Sequence, residues 1–385
     1  MTAGAAAVIR PSTRRFEHVP GPLCTAPTAR DAASHLRPAS VSPTKRMTLK
    51  TVAARLGVSA ATVSNAFNRP DQLSQARREE ILAAAAALGY HGPDSRGRML
   101  RTGRSGIIAM LLAENLFYSL SDSVASELIA GVAAQLDQHG HSLMLLPGRL
   151  EQTTGGVDMA DGIIVYGLHG ASSHILDLIA GRPAVAIDID LPGIAAVNID
   201  NYPASLALTR HALRHPPRRI AIVGLRLTQS REGPIDHDEL LPGDLTITRR
   251  RLDGIFRAFT EANVDPATVA LWNIDQNTYD GCVPLIAELL DQPAAQRPDL
   301  LICLSDRIAL TAIDLAERRG LRVPEELRIT GFDGIAEGQQ RRPRLTTVRQ
   351  DSAAKGRLAA AMLLDLEPRR SRMLGTELLI GDSAP

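Results

Sequence analysis

The stretch LKTVAARLGVSAATVSNAFNRP, residues 49–70, decides how the first part of this chain is read. Apolar residues at 49, 52, 53 and 56 fall on one face of a helix, and Gly57 ends it. Ser59 has the chemistry of an N-cap, and AATVSNAFN then puts Val63, Ala66 and Phe67 on one face of a second helix. With Leu49 counted as position one, Ala53 is fifth, Gly57 ninth and Val63 fifteenth. Two helices that cross closely need a small residue at the crossing, a turn residue that tolerates positive φ, and an apolar residue wedged between them. A helix-turn-helix makes those demands and leaves AATVSN facing outward, where a groove-reading helix presents its side chains. A generic three-helix bundle with a glycine turn would satisfy the same count.

Helices this short need a third to complete their core. Ser74 caps QARREEILAAAAALGY, and Gly89 marks its end. HGPD then breaks the chain, and SRGRMLRTGRS follows as a basic connector.

Charge separates the two ends of the chain although the net value is only +1. Residues 1–46 and 47–104 each carry an excess of five positive charges, and 105–385 carry an excess of nine negative ones. A basic head on an acidic body points to a polyanion partner for the head alone. Residues 1–46 hold six prolines and no sustained period, so they read as a disordered extension, or as sequence upstream of a true start at Met47.

From residue 106 the pattern changes. GIIAMLLA, SLMLLP, GIIVYG, AVAIDID, RIAIVGL, VALWNI, DLLICLS and RITGFD read as buried parallel strands, with helical stretches between most of them. Eight strands over some 280 residues exceed what one ordinary sheet needs, so two lobes are expected. The polar, Pro- and Gly-rich segment 229–246 is the expected break between them, and the tail after residue 366 reads as a final strand plus a frayed end.

Several classes are disfavoured. The three cysteines, Cys24, Cys282 and Cys303, form neither a disulfide framework nor a CxxC pattern. No apolar run is long enough to span a bilayer, and the order of charges at the N-terminus is wrong for a secretory signal, so a cytoplasmic protein is expected. There is no GxSxG, GxxxxGK[ST] or HExxH, and the ten histidines are dispersed, which argues against an enzyme. Paired aspartates in DID are weak grounds for a metal, and no metal or cofactor is expected.

TLKTVAARLGVSAATVSNAFN with the following LS, R and ALGY resembles the DNA-binding head of the lactose/galactose repressor family of bacterial transcription regulators. RRRLDG, RPDLLICLSDRIALTAIDLAERRGLRVPEELRITGFDG and PRLTTVRQD are similar to that family's effector-binding core. The resemblance implies a helix-turn-helix head (47–92), a hinge helix or linker (93–104) and a periplasmic-binding-protein-like α/β core of two doubly wound parallel-sheet lobes (105–385). It implies a homodimeric repressor on a pseudo-palindromic operator, with affinity set by a small-molecule effector, a sugar or related polyol. A solute receptor without DNA function shares such a core, but the head argues against it.

The resemblance also assigns roles. Ala60, Ala61 and Asn65 would face bases: the alanines can touch only a thymine methyl, whereas Asn65 can pair with adenine. Ser59, Thr62, Ser64 and Asn68 would contact phosphates, although Ser59 could be only a cap and the others a solvated face. Leu100 matches a leucine wedged into the minor groove and Arg98 a basic neighbour, while Gly97 replaces the usual alanine and loosens the hinge helix. For the effector, the resemblance and the strand-end positions single out Phe117, Tyr118, Asp188, Arg251, Trp272, Tyr279 and Asp306. Ion pairs, strand-end caps or helix caps are the plainer readings of Asp188, Arg251 and Asp306.

Overall fold

In the computed structural model, residues 47–92, 103–147, 154–167, 172–228, 231–240 and 247–385 are described. The chain divides into two units, residues 1–93 and 94–385.

The first unit is all helical. Helix α1 (Leu49–Leu56) is capped by the Thr48 hydroxyl and ends at Gly57, whose φ of 65° takes the left-handed turn that a side chain would resist. Helix α2 (Ala60–Asn68) begins at Ser59, and α3 (Gln75–Ala87) at Ser74. Val52, Ala53, Val63, Ala66, Ile81, Ala85 and Tyr90 form the shared core, so the small fifth and apolar fifteenth positions sit where the two helices meet. Phe67 packs edge-on against Tyr90, with ring centroids 5.6 Å apart.

The second unit alternates strands and helices. Its first sheet has the order β12-β5-β4-β3-β1-β2. The strands are β1 (Ile107–Leu112), β2 (Ser142–Leu146), β3 (Gly162–Tyr166), β4 (Ala184–Ile187), β5 (Ala195–Ile199) and β12 (Arg372–Leu374), all paired in parallel. Between them lie α4 (Leu116–Ser121), α5 (Ser123–Gln138), α6 (Thr154–Val157) and α7 (Ser172–Ile179). The second sheet has the order β10-β9-β6-β8-β7. Its strands are β6 (Ile220–Leu225), β7 (Gly233–Ile235), β8 (Ala270–Ile274), β9 (Leu300–Cys303) and β10 (Arg328–Thr330), with β7 antiparallel at the edge. Helices α8 (Asn201–Ala212), α9 (Ile247–Glu261), α10 (Tyr279–Leu290), α11 (Asp306–Arg318) and α12 (Ala336–Gln340) belong with it. A two-stranded antiparallel ribbon of β11 (Thr347–Gln350) and β13 (Thr376–Leu379) completes the unit. Helix α13 (Ser352–Leu363) returns to the first lobe, where Ala359, Ala360 and Met362 join its core.

Two expectations need correction here. The lobes do not part at 229–246. That segment carries edge strand β7, whose Gly233 pairs with Asn273 inside the second sheet. The chain crosses instead after β5, again after β11, and between β12 and β13. A polar Pro/Gly-rich stretch suits an edge strand as well as a linker, because the edge needs few ladder bonds. Nor is the C-terminus frayed. Ser383 and Ala384 are buried, and the Ser383 hydroxyl donates to Ile329 O at 2.6 Å while Ala384 O accepts from the Thr346 hydroxyl at 2.8 Å.

A close helix contact helps hold the first lobe together. A Cβ on Gly131 of α5 would lie 2.1 Å from Ala353 O, and one on Gly356 of α13 would lie 2.2 Å from Leu128 O, so the two helix backbones touch. Among the described residues no helix is long and apolar enough to cross a membrane, and no group of three His, Cys, Asp or Glu is placed to hold a metal.

Candidate functional site

Two surfaces carry the chemistry, one on each unit. On the head, Ser59 Oγ accepts from Thr62 N at 3.0 Å and lies 2.8 Å from the Thr62 hydroxyl. Ser59 therefore caps α2, and the two hydroxyls occupy each other. The Asn68 amide donates to Ser64 O at 3.0 Å. Ala61 is exposed, Ala60 and Asn65 are partly exposed, and Val63 and Ala66 point inward. Asn65 thus shares the open face of α2 with Ala61. Arg98 and Leu100 lie outside the described residues.

On the second unit, a cleft between the lobes encloses about 960 Å³, counting space continuous with solvent. The carboxyl ends of parallel strands supply much of its lining, as expected for an open α/β sheet. Glu114, Tyr118, Asp122, Tyr166 and Asp188 come from the first lobe; Arg226, Arg251, Asn277, Ser305 and Asp333 come from the second.

Arg251 and Asp333 form the floor. Arg251 is buried on α9. Its Nε donates to Asn201 Oδ1 at 2.9 Å and its Nη1 to Leu304 O at 2.6 Å. Its Nη2 lies 3.5 Å from Asp333 Oδ1, and its guanidinium carbon sits 3.6 Å from the centre of the Phe332 ring. Burial lowers the pKa of this guanidinium, and Asp333 opposes that shift. Asp333 also accepts from Gln350 Nε2 at 2.8 Å. Burial pushes its carboxyl up to about 7, against the pull of Arg251. The backbone at Asp333 has φ 125°, a sparsely populated region for a residue with a side chain. Gly334 follows because a Cβ there would lie 2.5 Å from Arg349 Cα.

Asp188 lies opposite. Its Oδ2 takes a hydrogen bond from the fully buried Lys355 ammonium, which also donates to Gln350 Oε1 at 2.8 Å. Its other oxygen, Oδ1, is buried with no partner within the described residues. Asn201, Gln350 and Lys355 stand beside the first two chain crossings, so one polar network joins the cleft floor to the strands that connect the lobes.

Tyr118 and Tyr166 line the wall, and burial raises both phenols above their ordinary range, so both hydroxyls remain protonated near neutral pH. Asp122 caps α5, accepting from Ala125 N at 2.8 Å, and burial raises its carboxyl. Asn277 approaches it from the other lobe at 3.3 Å. At the mouth, Arg226 pairs with Glu114, and Arg250 donates to Asp190 at 2.5 Å, each across the lobes.

Of the seven effector candidates read from the sequence, three line this cleft: Tyr118, Asp188 and Arg251. The other four are corrected. Trp272 is 3% exposed in the core beneath β8, because the alternation of that strand turns it into the lobe. The Tyr279 hydroxyl donates to Asp314 at 2.5 Å on the far side of α10. Phe117 is 83% exposed and points away from the lining, one position out of phase with Tyr118. Asp306 is fully buried below the floor: Oδ1 accepts from the Thr347 hydroxyl at 2.5 Å and Oδ2 from Ile335 N at 2.8 Å. Gly331 leaves the space, since a Cβ there would be 2.2 Å from Asp306 Oδ1.

Sequence reading missed Asp333, Asp122, Tyr166, Asn277 and Gln350. Asp333 had a signal, an aspartate before glycine at the end of the strand in RITGFDG, but LSD drew the assignment one strand early.

Comparisons with known proteins agree with this architecture. Residues 48–93 match the bacterial regulatory proteins of the lacI family, and 207–384 match a periplasmic binding protein-like domain. The HTH-type transcriptional regulator Rv3575c of Mycobacterium tuberculosis is 36% identical over 362 residues, 90% of this chain and 99% of that protein. A crystal structure of a LacI-family transcriptional regulator from Corynebacterium glutamicum superposes with a TM-score of 0.65 at 27% identity, covering 89% of this chain and all of the other. The complex of the transcriptional regulator CelR with cellobiose gives 0.59 at 28% identity, covering 88% and 100%.

Proposed function

The chain belongs to the lacI family of bacterial regulatory proteins, and on that premise we propose that it is a transcriptional repressor whose grip on operator DNA is set by a small molecule in the interlobe cleft. The observation that carries the reading is the coexistence of an outward-facing Asn65 on a capped α2 with a polar interlobe cleft in one chain.

In this reading α2 enters the major groove. Asn65 pairs with adenine and Ala60 and Ala61 touch thymine methyls, so sequence selection rests on few contacts. Ser64 and Asn68 hold phosphates; Ser59 and Thr62 contribute chiefly by fixing the start of the helix. Residues 93–104 act as the hinge, with Leu100 as the wedge and Arg98 beside it. Two copies bind a pseudo-palindromic site as a homodimer.

The effector is a sugar or related polyol. The CelR structure, with its cellobiose, supports that class for a relative of similar fold. Ligand hydroxyls reach Arg251, Asp333 and the free oxygen of Asp188. These groups bond to Asn201, Gln350 and Lys355 at the chain crossings, so occupancy biases the angle between the lobes. Coupling of that kind is typically about 1–3 kcal/mol. No catalytic role is proposed: the relatives are transcriptional regulators, and turnover of a bound ligand by the pure protein would contradict the reading.

The test is titration of a labelled duplex with the purified chain, with and without each member of a sugar and polyol panel. A change in operator affinity with one member supports the proposal; DNA binding indifferent to every cleft ligand overturns effector control.

A further inference from the structure

We infer that the cleft takes an uncharged or amine-bearing polyhydroxylated ligand and excludes phosphorylated and carboxylated ones. The inference rests on the reading of the cleft as the effector site and narrows its ligand class.

Charge in the lining favours carboxylates. Glu114, Asp122, Asp188 and Asp333 face the cleft against two guanidiniums, Arg226 and Arg251. Both guanidiniums already face carboxylates of the chain, with which a ligand anion would have to compete. Arg226 is bound to Glu114 at the mouth, and Arg251 spreads its donors over Asn201, Leu304 O and Asp333. Behind the lining, Lys355 is fully buried and committed to Asp188 and Gln350.

Helix N-termini are the other usual anion receptors, and two of those at the cleft, of α5 and α11, are already filled. Asp122 closes the first turn of α5, accepting from Ala125 N. Ser305 closes α11, accepting from Arg307 N at 3.1 Å. Below it the Asp306 carboxyl occupies the same first turn. At these two ends the chain has placed its own oxygen atoms where a ligand phosphate would dock.

What stays open is acceptor capacity. Asp188 Oδ1 is buried at the cleft without a partner, and a ligand hydroxyl or ammonium would satisfy it. A ligand anion there would meet like charge in a poorly solvated space. The Tyr118 and Tyr166 hydroxyls and Asn277 can donate to ring and hydroxyl oxygens, which suits a neutral polyol.

The test uses the full chain. Matched sets of probes are screened by thermal shift and confirmed by calorimetry: hexoses, pentoses, cyclitols, disaccharides and nucleosides, each with its amino, phosphorylated and carboxylated counterparts, and inorganic phosphate as an ionic control. A binder counts as a cleft ligand when Asp333→Asn changes its affinity, in either direction, by at least about tenfold. The expected result is a neutral or aminated cleft ligand whose phosphorylated or carboxylated counterpart binds on the order of 100-fold more weakly or not at all. A phosphorylated or carboxylated cleft ligand that binds as tightly as its neutral form overturns the charge selection while leaving the effector reading intact. A complete set without any cleft ligand overturns both.

Discussion

Arg251 Nη2 and Asp333 Oδ1 lie 3.5 Å apart on the floor of the cleft, one from a helix that follows the crossing into the second lobe and the other from a strand end that precedes the crossing back. The gap is at the limit of a hydrogen bond, so a ligand oxygen can come between them without breaking a short contact. A buried charged pair adds little to stability by itself and suits a switch better than a strut.

Asp333→Asn is expected to abolish the effector response while the head still binds DNA. Asparagine keeps the shape but loses the charge that faces Arg251, and the loss of one charge-assisted contact costs about 1.5–3 kcal/mol of ligand affinity. Calorimetry of ligand binding, with operator titration alongside, checks both halves.

Asp306→Ala should behave differently. It strips partners from Thr347 Oγ1 and Ile335 N, both buried, and is expected to destabilise the core by about 1–3 kcal/mol for each group left unsatisfied. Ligand affinity measured well below the melting point should fall less than in Asp333→Asn. The reverse order of effects would restore Asp306 to the cleft.

Stability of the core should fall as pH rises through the neutral range. Burial places the Asp306 and Asp333 carboxyls at about 6 and about 7, above the unfolded value near 3.8. The folded state therefore holds protons that the unfolded chain has already lost, and stability declines from about pH 4 through about pH 7 for these two groups. Thermal melts between pH 5 and 8 should show a falling midpoint, and Asp333→Asn should flatten the upper part of the decline.

Much of this was legible from residue type and spacing. Thr48, Ser59 and Ser74 announce three helix starts, and Gly57 one end, because capping chemistry is local. The parallel strands were legible as apolar runs, since both faces of each are covered. The cleft was less so. Asp333 reaches it through a strained backbone at a strand end, and Asp122 serves as a cap and a wall residue at once; neither leaves a periodic trace. Trp272 was an effector candidate, but the alternation of its strand turns it into the core. The break between lobes was misplaced because a triple crossing needs only a residue or two at each pass and no linker composition.

Deletion of residues 383–385 should lower the melting point of the second lobe measurably. It removes the acceptor for the Thr346 hydroxyl and for His211 Nε2, and the hydroxyl that accepts from Thr346 N at 2.9 Å. A truncated chain with an unchanged midpoint would return the tail to a frayed end.

The central claim is that this chain reads DNA through α2 and that the residue doing so is Asn65. In vitro selection of duplexes from a randomised pool at low ionic strength, run in parallel on the full chain and on Asn65→Ala, tests it most directly. The full chain should enrich an inverted repeat with an adenine at a fixed place in each half-site, and the variant should lose that adenine preference by about 1–3 kcal/mol. A pool that stays random with the full chain, or an adenine kept undiminished by Asn65→Ala, would contradict it.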